Sequence, residues 1–160
     1  MGYRRWMRTL DHGLDGQENI AERLILEITE SSAMSMPELV ISFMKDMQQR
    51  GISFALDDFG AGHTSFRYLR DFFFDILKID GQFTKNLSQN PDNQVLAQAL
   101  VSIANHFEMF TVAENVESAA DANLLTELGV DCLQGYHFGA PTVSPPWRKE
   151  AAPVKRKRFG

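Results

Sequence analysis

Between residues 24 and 134 the chain alternates short apolar runs with longer amphipathic stretches. That is the pattern of strand and helix in a parallel α/β protein. Runs at 24–28, 52–57, 74–79, 110–114 and 130–134 read as strands. Each is mostly apolar on both faces, as expected where helices cover one side of a sheet and a barrel interior or second helical layer covers the other. The intervening stretches predict helices. Ser35-Met36-Pro37-Glu38 has the order of a capping box, with Ser35 as N-cap and an early proline, and apolar Leu39, Val40, Phe43, Met44 and Met47 follow. Gly51 ends that helix. From Asp92 onward Val95, Leu96, Ala99, Leu100, Ile103, Ala104 and Phe107 keep a helical stripe, and a shorter helix over 118–128 stops at Gly129. Ahead of the first strand the pattern predicts one helix around 3–10, then a loop through Gly13 and Gly16. There is no internal repeat.

Composition narrows the picture without changing it. At 160 residues with ordinary apolar and charged fractions, the chain has material for one globular domain. We divide it into an N-terminal helix and loop (1–20), the main unit (21–145) and a basic, disordered tail (146–160). A net charge of −5 gives no overall basic field, so DNA is not an expected partner. Lys155-Arg156-Lys157-Arg158, after Pro145, Pro146 and Pro153, reads as a solvated end. The lone Cys132 has no disulfide partner and no zinc-ligand spacing, which fits a reducing, cytoplasmic setting. No run of apolar residues is long enough for membrane insertion, and the start lacks the apolar stretch of a signal peptide.

Chemistry enters at the strand ends. Glu27 closes the first predicted strand, Asp57 and Asp58 the second, Lys78 and Asp80 the third, Glu114 the fourth and Gln134 the fifth. Parallel α/β architectures collect functional groups there, where loops leave the sheet. Each residue alone has a plain structural reading: Asp57-Asp58 starting a turn, Glu27 pairing with a helix arginine, Lys78 reaching solvent, Gln134 capping a backbone group. Repeating the cost of charge at several buried strand ends needs a shared cause. Carboxylates Glu27, Asp57, Asp58 and Glu114 converging on one mouth suit a hard cation, Mg²⁺ or Mn²⁺ rather than zinc. An adjacent Asp-Asp pair suits two metal ions in phosphodiester hydrolysis. Lys78 would orient or deprotonate a water; the alternative, a Schiff-base nucleophile, is disfavoured because nearby acids keep its ammonium charged.

Glu27-Ile28-Thr29-Glu30-Ser31, Asp57-Asp58-Phe59-Gly60-Ala61-Gly62, Leu77-Lys78-Ile79-Asp80, Val112-Ala113-Glu114 and Gln134-Gly135-Tyr136-His137-Phe138 together resemble the EAL family of cyclic di-GMP phosphodiesterases. The likeness runs from about 21 to 141. It implies a variant TIM barrel that hydrolyses cyclic di-GMP to linear pGpG with two Mg²⁺ or Mn²⁺ ions. By the same resemblance Glu27, Asp57 and Asp58 are metal ligands. Lys78 contacts the catalytic water with Asp80 beside it, and Glu114 and Gln134 complete the metal and water network. Glu30 steadies the loop from 59 to 68, which in the family couples metal binding to dimerisation. Tyr136, Phe138 and Pro141 are candidates for lining the nucleotide pocket, although aromatics beside a strand end are as often core.

The sequence also departs from the family pattern. His63 and Thr64 stand where tyrosine and serine are common, and Asn115 follows Glu114 where glycine is usual. The Glu-Ala-Leu signature does not occur in these 160 residues, nor does the arginine-bearing segment after it or the asparagine ligand of the next strand. The expectation is therefore a partial TIM-like (β/α) barrel, about the last five strands of an EAL-type barrel. Its open edges favour association as a homodimer or with a complementing EAL segment. Such a chain would be inactive alone, and the alternative is a non-catalytic cyclic di-GMP-binding or protein-interaction module.

Overall fold

The structure, a computed structural model, describes residues 2–16, 18–60, 69–143 and 145. His63, Thr64, most of the loop after Asp58 and the basic tail lie outside the described residues. The described elements run α1 (Gly2–Leu14), α2 (Glu18–Ala21), β1 (Ile25–Thr29), α3 (Glu30–Ser35), α4 (Pro37–Gln48) and β2 (Ser53–Phe59). Next come β3 (Ile76–Ile79), α5 (Gly81–Thr84), a 3-10 turn (Leu87–Gln89), α6 (Pro91–His106), β4 (Phe110–Ala113), α7 (Ala119–Glu127) and β5 (Cys132–Leu133). The strands form one parallel sheet in the order β1-β2-β3-β4-β5, so β1 and β5 are its edges. Among the described residues no helix is long and apolar enough to cross a membrane.

All five predicted strands form, but two local readings change. Ser35 does not cap α4: it closes α3, where its hydroxyl donates to the Ser32 carbonyl at 2.9 Å, and Met36 becomes the N-cap without a side-chain bond. The cause lies upstream. Thr29 ends β1 and its Oγ accepts from Ser32 N, starting a short helix that uses up Ser35 before Pro37 opens the next one. The N-terminal helix is also longer than the expected 3–10. It runs through Gly13 to Leu14, with Met7, Leu10 and Leu14 packed on the core and Arg50 bonded to Asp11 at 2.8 Å. Gly51 and Gly129, at φ 89 and 87, follow the ends of α4 and α7 in the left-handed backbone glycine takes without penalty.

Side chains alternate across a strand, and the register sorts them into two faces. Leu26, Phe54, Leu56, Leu77, Ile79, Thr111 and Ala113 share the face that the helices cover; all of these except Leu26 are buried. The other face carries Ile25, Glu27, Ala55, Asp57, Ile76, Lys78, Phe110, Val112 and Cys132. Near the N-terminal ends of its strands it is open: Ile25 is 50% and Phe110 49% exposed. Two aspartates fasten neighbouring strands at that end. Asp75 accepts from Phe54 N at 2.7 Å, and Asp131 accepts from Thr111 N at 2.8 Å and from the Thr111 hydroxyl at 2.6 Å. With both hydrogen bonds from Thr111, Asp131 is held below the ordinary carboxylate pKa.

Candidate metal centre at the strand ends

Consecutive residues of a regular strand point to opposite faces, so Asp57 and Asp58 should diverge. They do not, because the pairing of β2 with β3 slips: Leu56 pairs with Leu77 but Phe59 pairs with Ile79. Asp57 and Asp58 together therefore stand against Lys78, as in a β-bulge. Asp58 takes φ 56, a left-handed backbone costly for a residue other than glycine. The result is that carboxylate oxygens of Asp57, Asp58 and Glu114 lie within 4.8 Å of one another.

Lys78 is the centre of the arrangement. It is 8% exposed, and its Nζ lies 2.7 Å from Asp57, 2.9 Å from Glu114 and 3.0 Å from Glu27. Burial alone would lower its pKa; the hydrogen bonds to Asp57, Glu114 and Glu27 outweigh that and raise it above the ordinary lysine value. The side chain is thus an ammonium at neutral pH. It is placed as a donor and counter-ion among three carboxylates, which disfavours Schiff-base chemistry.

The remaining candidates separate into those the fold gathers and those it does not. Glu27, on the edge strand, reaches Lys78 but is half exposed and outside the close group of three carboxylates. Glu30, 4% exposed at the start of α3, accepts from Gly60 N at 3.0 Å, while its Oε1 has no hydrogen-bond partner among the described residues. Asp80 stands apart from the cluster: its carboxylate accepts from Gln82 N at 2.8 Å and caps α5. Gln134 is exposed and holds the sheet end through its backbone, accepting from Val116 N at 3.0 Å. An open cavity of about 470 Å³ lies beside the cluster, lined by Glu114, Asn115, Gln134, Tyr136, Ala140 and Pro141, among others. Phe138 does not line it; its ring meets His137 edge-on, with centroids 4.9 Å apart.

Sequence reasoning missed Thr84. Fully buried, it donates its hydroxyl to the Glu114 carbonyl, and it belongs to a helix too short to leave a periodic signal. Glu114 is pinned from its other side by its own N–H, which donates to the Ile79 carbonyl at 3.1 Å. The donor set fits a divalent cation: it is all oxygen, and its carboxylates carry more negative charge than one ammonium neutralises.

The family model described as EAL domain matches residues 2–141. The chain belongs to the EAL domain family. Cyclic di-GMP phosphodiesterase PdeF of Escherichia coli is 33% identical over 135 residues, 84% of this EAL chain and 18% of PdeF. The bifunctional diguanylate cyclase/cyclic di-GMP phosphodiesterase MucR of Pseudomonas aeruginosa is 36% identical over 118 residues, 74% of the chain and 17% of MucR. The solved MucR phosphodiesterase in complex with c-di-GMP matches with a TM-score of 0.72 at 34% identity, covering 76% of this chain and 49% of that one. A manganese and c-di-GMP complex of Klebsiella pneumoniae BlrP1 matches with a TM-score of 0.72 at 25% identity, over 76% and 31%. The EAL chain therefore spans under a fifth of PdeF and MucR and about half of the MucR phosphodiesterase structure. Its five-stranded parallel sheet is a partial TIM-like barrel.

Proposed function

We propose that this chain supplies the metal-binding half of a cyclic di-GMP phosphodiesterase site, and that the complete barrel hydrolyses one phosphodiester to give pGpG. The observation that carries the reading is the gathering of Asp57, Asp58 and Glu114 around a buried Lys78, in a chain whose EAL relatives bear that activity in their names. Asp57, Asp58 and Glu114, with Glu27 at the edge, would hold Mg²⁺ or Mn²⁺. Two such ions would supply the acidity of a bound water and the charge that offsets the phosphate. Lys78 would orient that water by turning to it one of the three N–H donors it now gives to Glu27, Asp57 and Glu114. Glu30 holds the start of the following loop through Gly60, Gln134 lies at the polar rim, and Asp80 supports the site from outside as the cap of α5. Tyr136 and Pro141 offer the cavity wall to a guanine, with Phe138 farther out.

On its own the 160-residue chain should bind the cation but turn over little substrate, because the Glu-Ala-Leu segment that adds a ligand is not in it. The open inner face around Ile25 and Phe110 supports a second reading, a module that binds cyclic di-GMP or docks a second copy or a complementing EAL segment without chemistry of its own. The experiment is calorimetry of the purified chain with Mn²⁺ and then with cyclic di-GMP, beside chromatography for pGpG. Mn²⁺ binding that Asp57→Asn abolishes is expected, with no pGpG until the missing segment is added. Turnover by the chain alone, lost in Asp57→Asn, would overturn the inactivity; no Mn²⁺ binding would overturn the metal centre.

A further inference from the structure

Helix α5 lies between the two acidic turns of the cluster and touches both through glycines. On one side, a Cβ added at Gly60 would stand 2.5 Å from Cε2 of Phe83, so the Asp57-Asp58 turn lies directly against α5. On the other side, a Cβ at Gly81 would stand 2.8 Å from Cγ and 2.9 Å from Cβ of Asn115, and closer still to Nδ2. Swinging the Asn115 side chain about its Cα–Cβ bond relieves the Cγ and Nδ2 contacts. It does nothing for Cβ, whose place is fixed by the backbone.

That backbone is itself constrained. Asn115 sits at φ 55, a left-handed conformation that asparagine tolerates better than most residues. Its neighbours are pinned: Glu114 to Ile79 and to the Thr84 hydroxyl, Val116 to the Gln134 carbonyl at 3.0 Å. Thr84 and Gly81 are the two ends of the same helical turn. Any force that separates Gly81 from Asn115 must therefore move α5, the Glu114 turn, or both, since close-packed groups transmit displacement. Glu114 carries the carboxylate bonded to Lys78.

We propose that Gly81 and Asn115 are a size-matched pair through which α5 sets the place of Glu114 in the carboxylate cluster. Asn115 is then a positioning residue, and Gly81 is the space that makes it possible. The inference rests on the metal reading of the cluster, but one of its readouts does not. In the full chain, Gly81→Ala should weaken Mn²⁺ binding about tenfold by calorimetry, the scale of a lost supporting contact. It should also shift the Lys78 ε-ammonium resonance in ¹⁵N-lysine-labelled protein. In the Asn115→Gly background the same Gly81→Ala change should move neither, because the clashing side chain is gone.

Equal losses in both backgrounds would overturn the pairing, as would a Gly81→Ala protein that binds Mn²⁺ normally and keeps its Lys78 signal. If the native chain binds no Mn²⁺, the metal reading fails and the Lys78 resonance alone decides. A shift on Gly81→Ala that vanishes in the Asn115→Gly background supports the pair, and an unmoved signal overturns it. Should Gly81→Ala not fold, a folded double variant with the Asn115→Gly resonance supports the pair; an unfolded one overturns it.

Discussion

Phe54 in β2 and Phe110 in β4 carry the same side chain on opposite faces of one sheet, 0% and 49% exposed. Phe54 meets Phe43 of α4 edge-on, with ring centroids 5.7 Å apart, beneath a layer of helices. Phe110 lies on the face with no helical cover among the described residues. That face is buried mainly where charge closes it, around Lys78. Helices finish the outer face by apolar burial. The inner face is finished by an ammonium among carboxylates at one end and left open at the other.

The largest test of this contrast is truncation of the same residue on each face. Phe54→Ala should cost about 3–5 kcal/mol, enough to threaten folding, by removing a buried ring and leaving a cavity. Phe110→Ala should stay within about 1 kcal/mol, since half its surface is already in water. Urea unfolding of the two variants measures both; equal costs would mean that the inner face is covered in solution, by a second copy for instance.

Lys78→Met probes the charged end of the open face. It should cost about 2 kcal/mol at pH 7, less than breaking a fully buried pair because Glu27 and Asp58 are open to solvent. Added Mn²⁺ should recover part of the loss, and a deficit indifferent to Mn²⁺ would separate the ammonium from any metal role.

The smallest effect belongs to a polar group buried on the helical side. Asp121, 3% exposed, accepts from Ser88 N at 2.8 Å and from the Ser118 hydroxyl at 2.7 Å. Burial alone would raise its pKa; the hydrogen bonds from Ser88 and Ser118 outweigh that and lower it. A lowered folded pKa means that the stabilisation is complete above the unfolded value of about 4 and is lost as pH falls through the folded one. The native chain should therefore exceed Asp121→Asn in urea midpoint at pH 7, and the gap should close below about pH 4. A gap that persists at pH 2 would assign the effect to shape, not charge.

Much of this was legible in the chain. Strand positions followed from short apolar runs, α6 from its stripe and the end of α7 from the glycine after it. The residues at the strand ends were visible because buried charge is costly enough to stand out in an apolar run. What failed were features shorter than a period. Helix α5, with Thr84, is one turn long and cannot show periodicity. The start of α4 was misread because Thr29, and not Ser35, captured the preceding backbone.

By itself, then, the sequence determined the order of the strands, the family and the row of acids and one lysine at the strand ends, because periodicity and buried charge are local properties. Only the tertiary structure decided that Asp57 and Asp58 share a face, since that depends on a register slip against β3 and a left-handed Asp58. It alone decided that Lys78 is ringed by carboxylates, brought in from β1, β2 and the residue after β4. Both are consequences of distance between residues far apart in the chain, which no local pattern encodes.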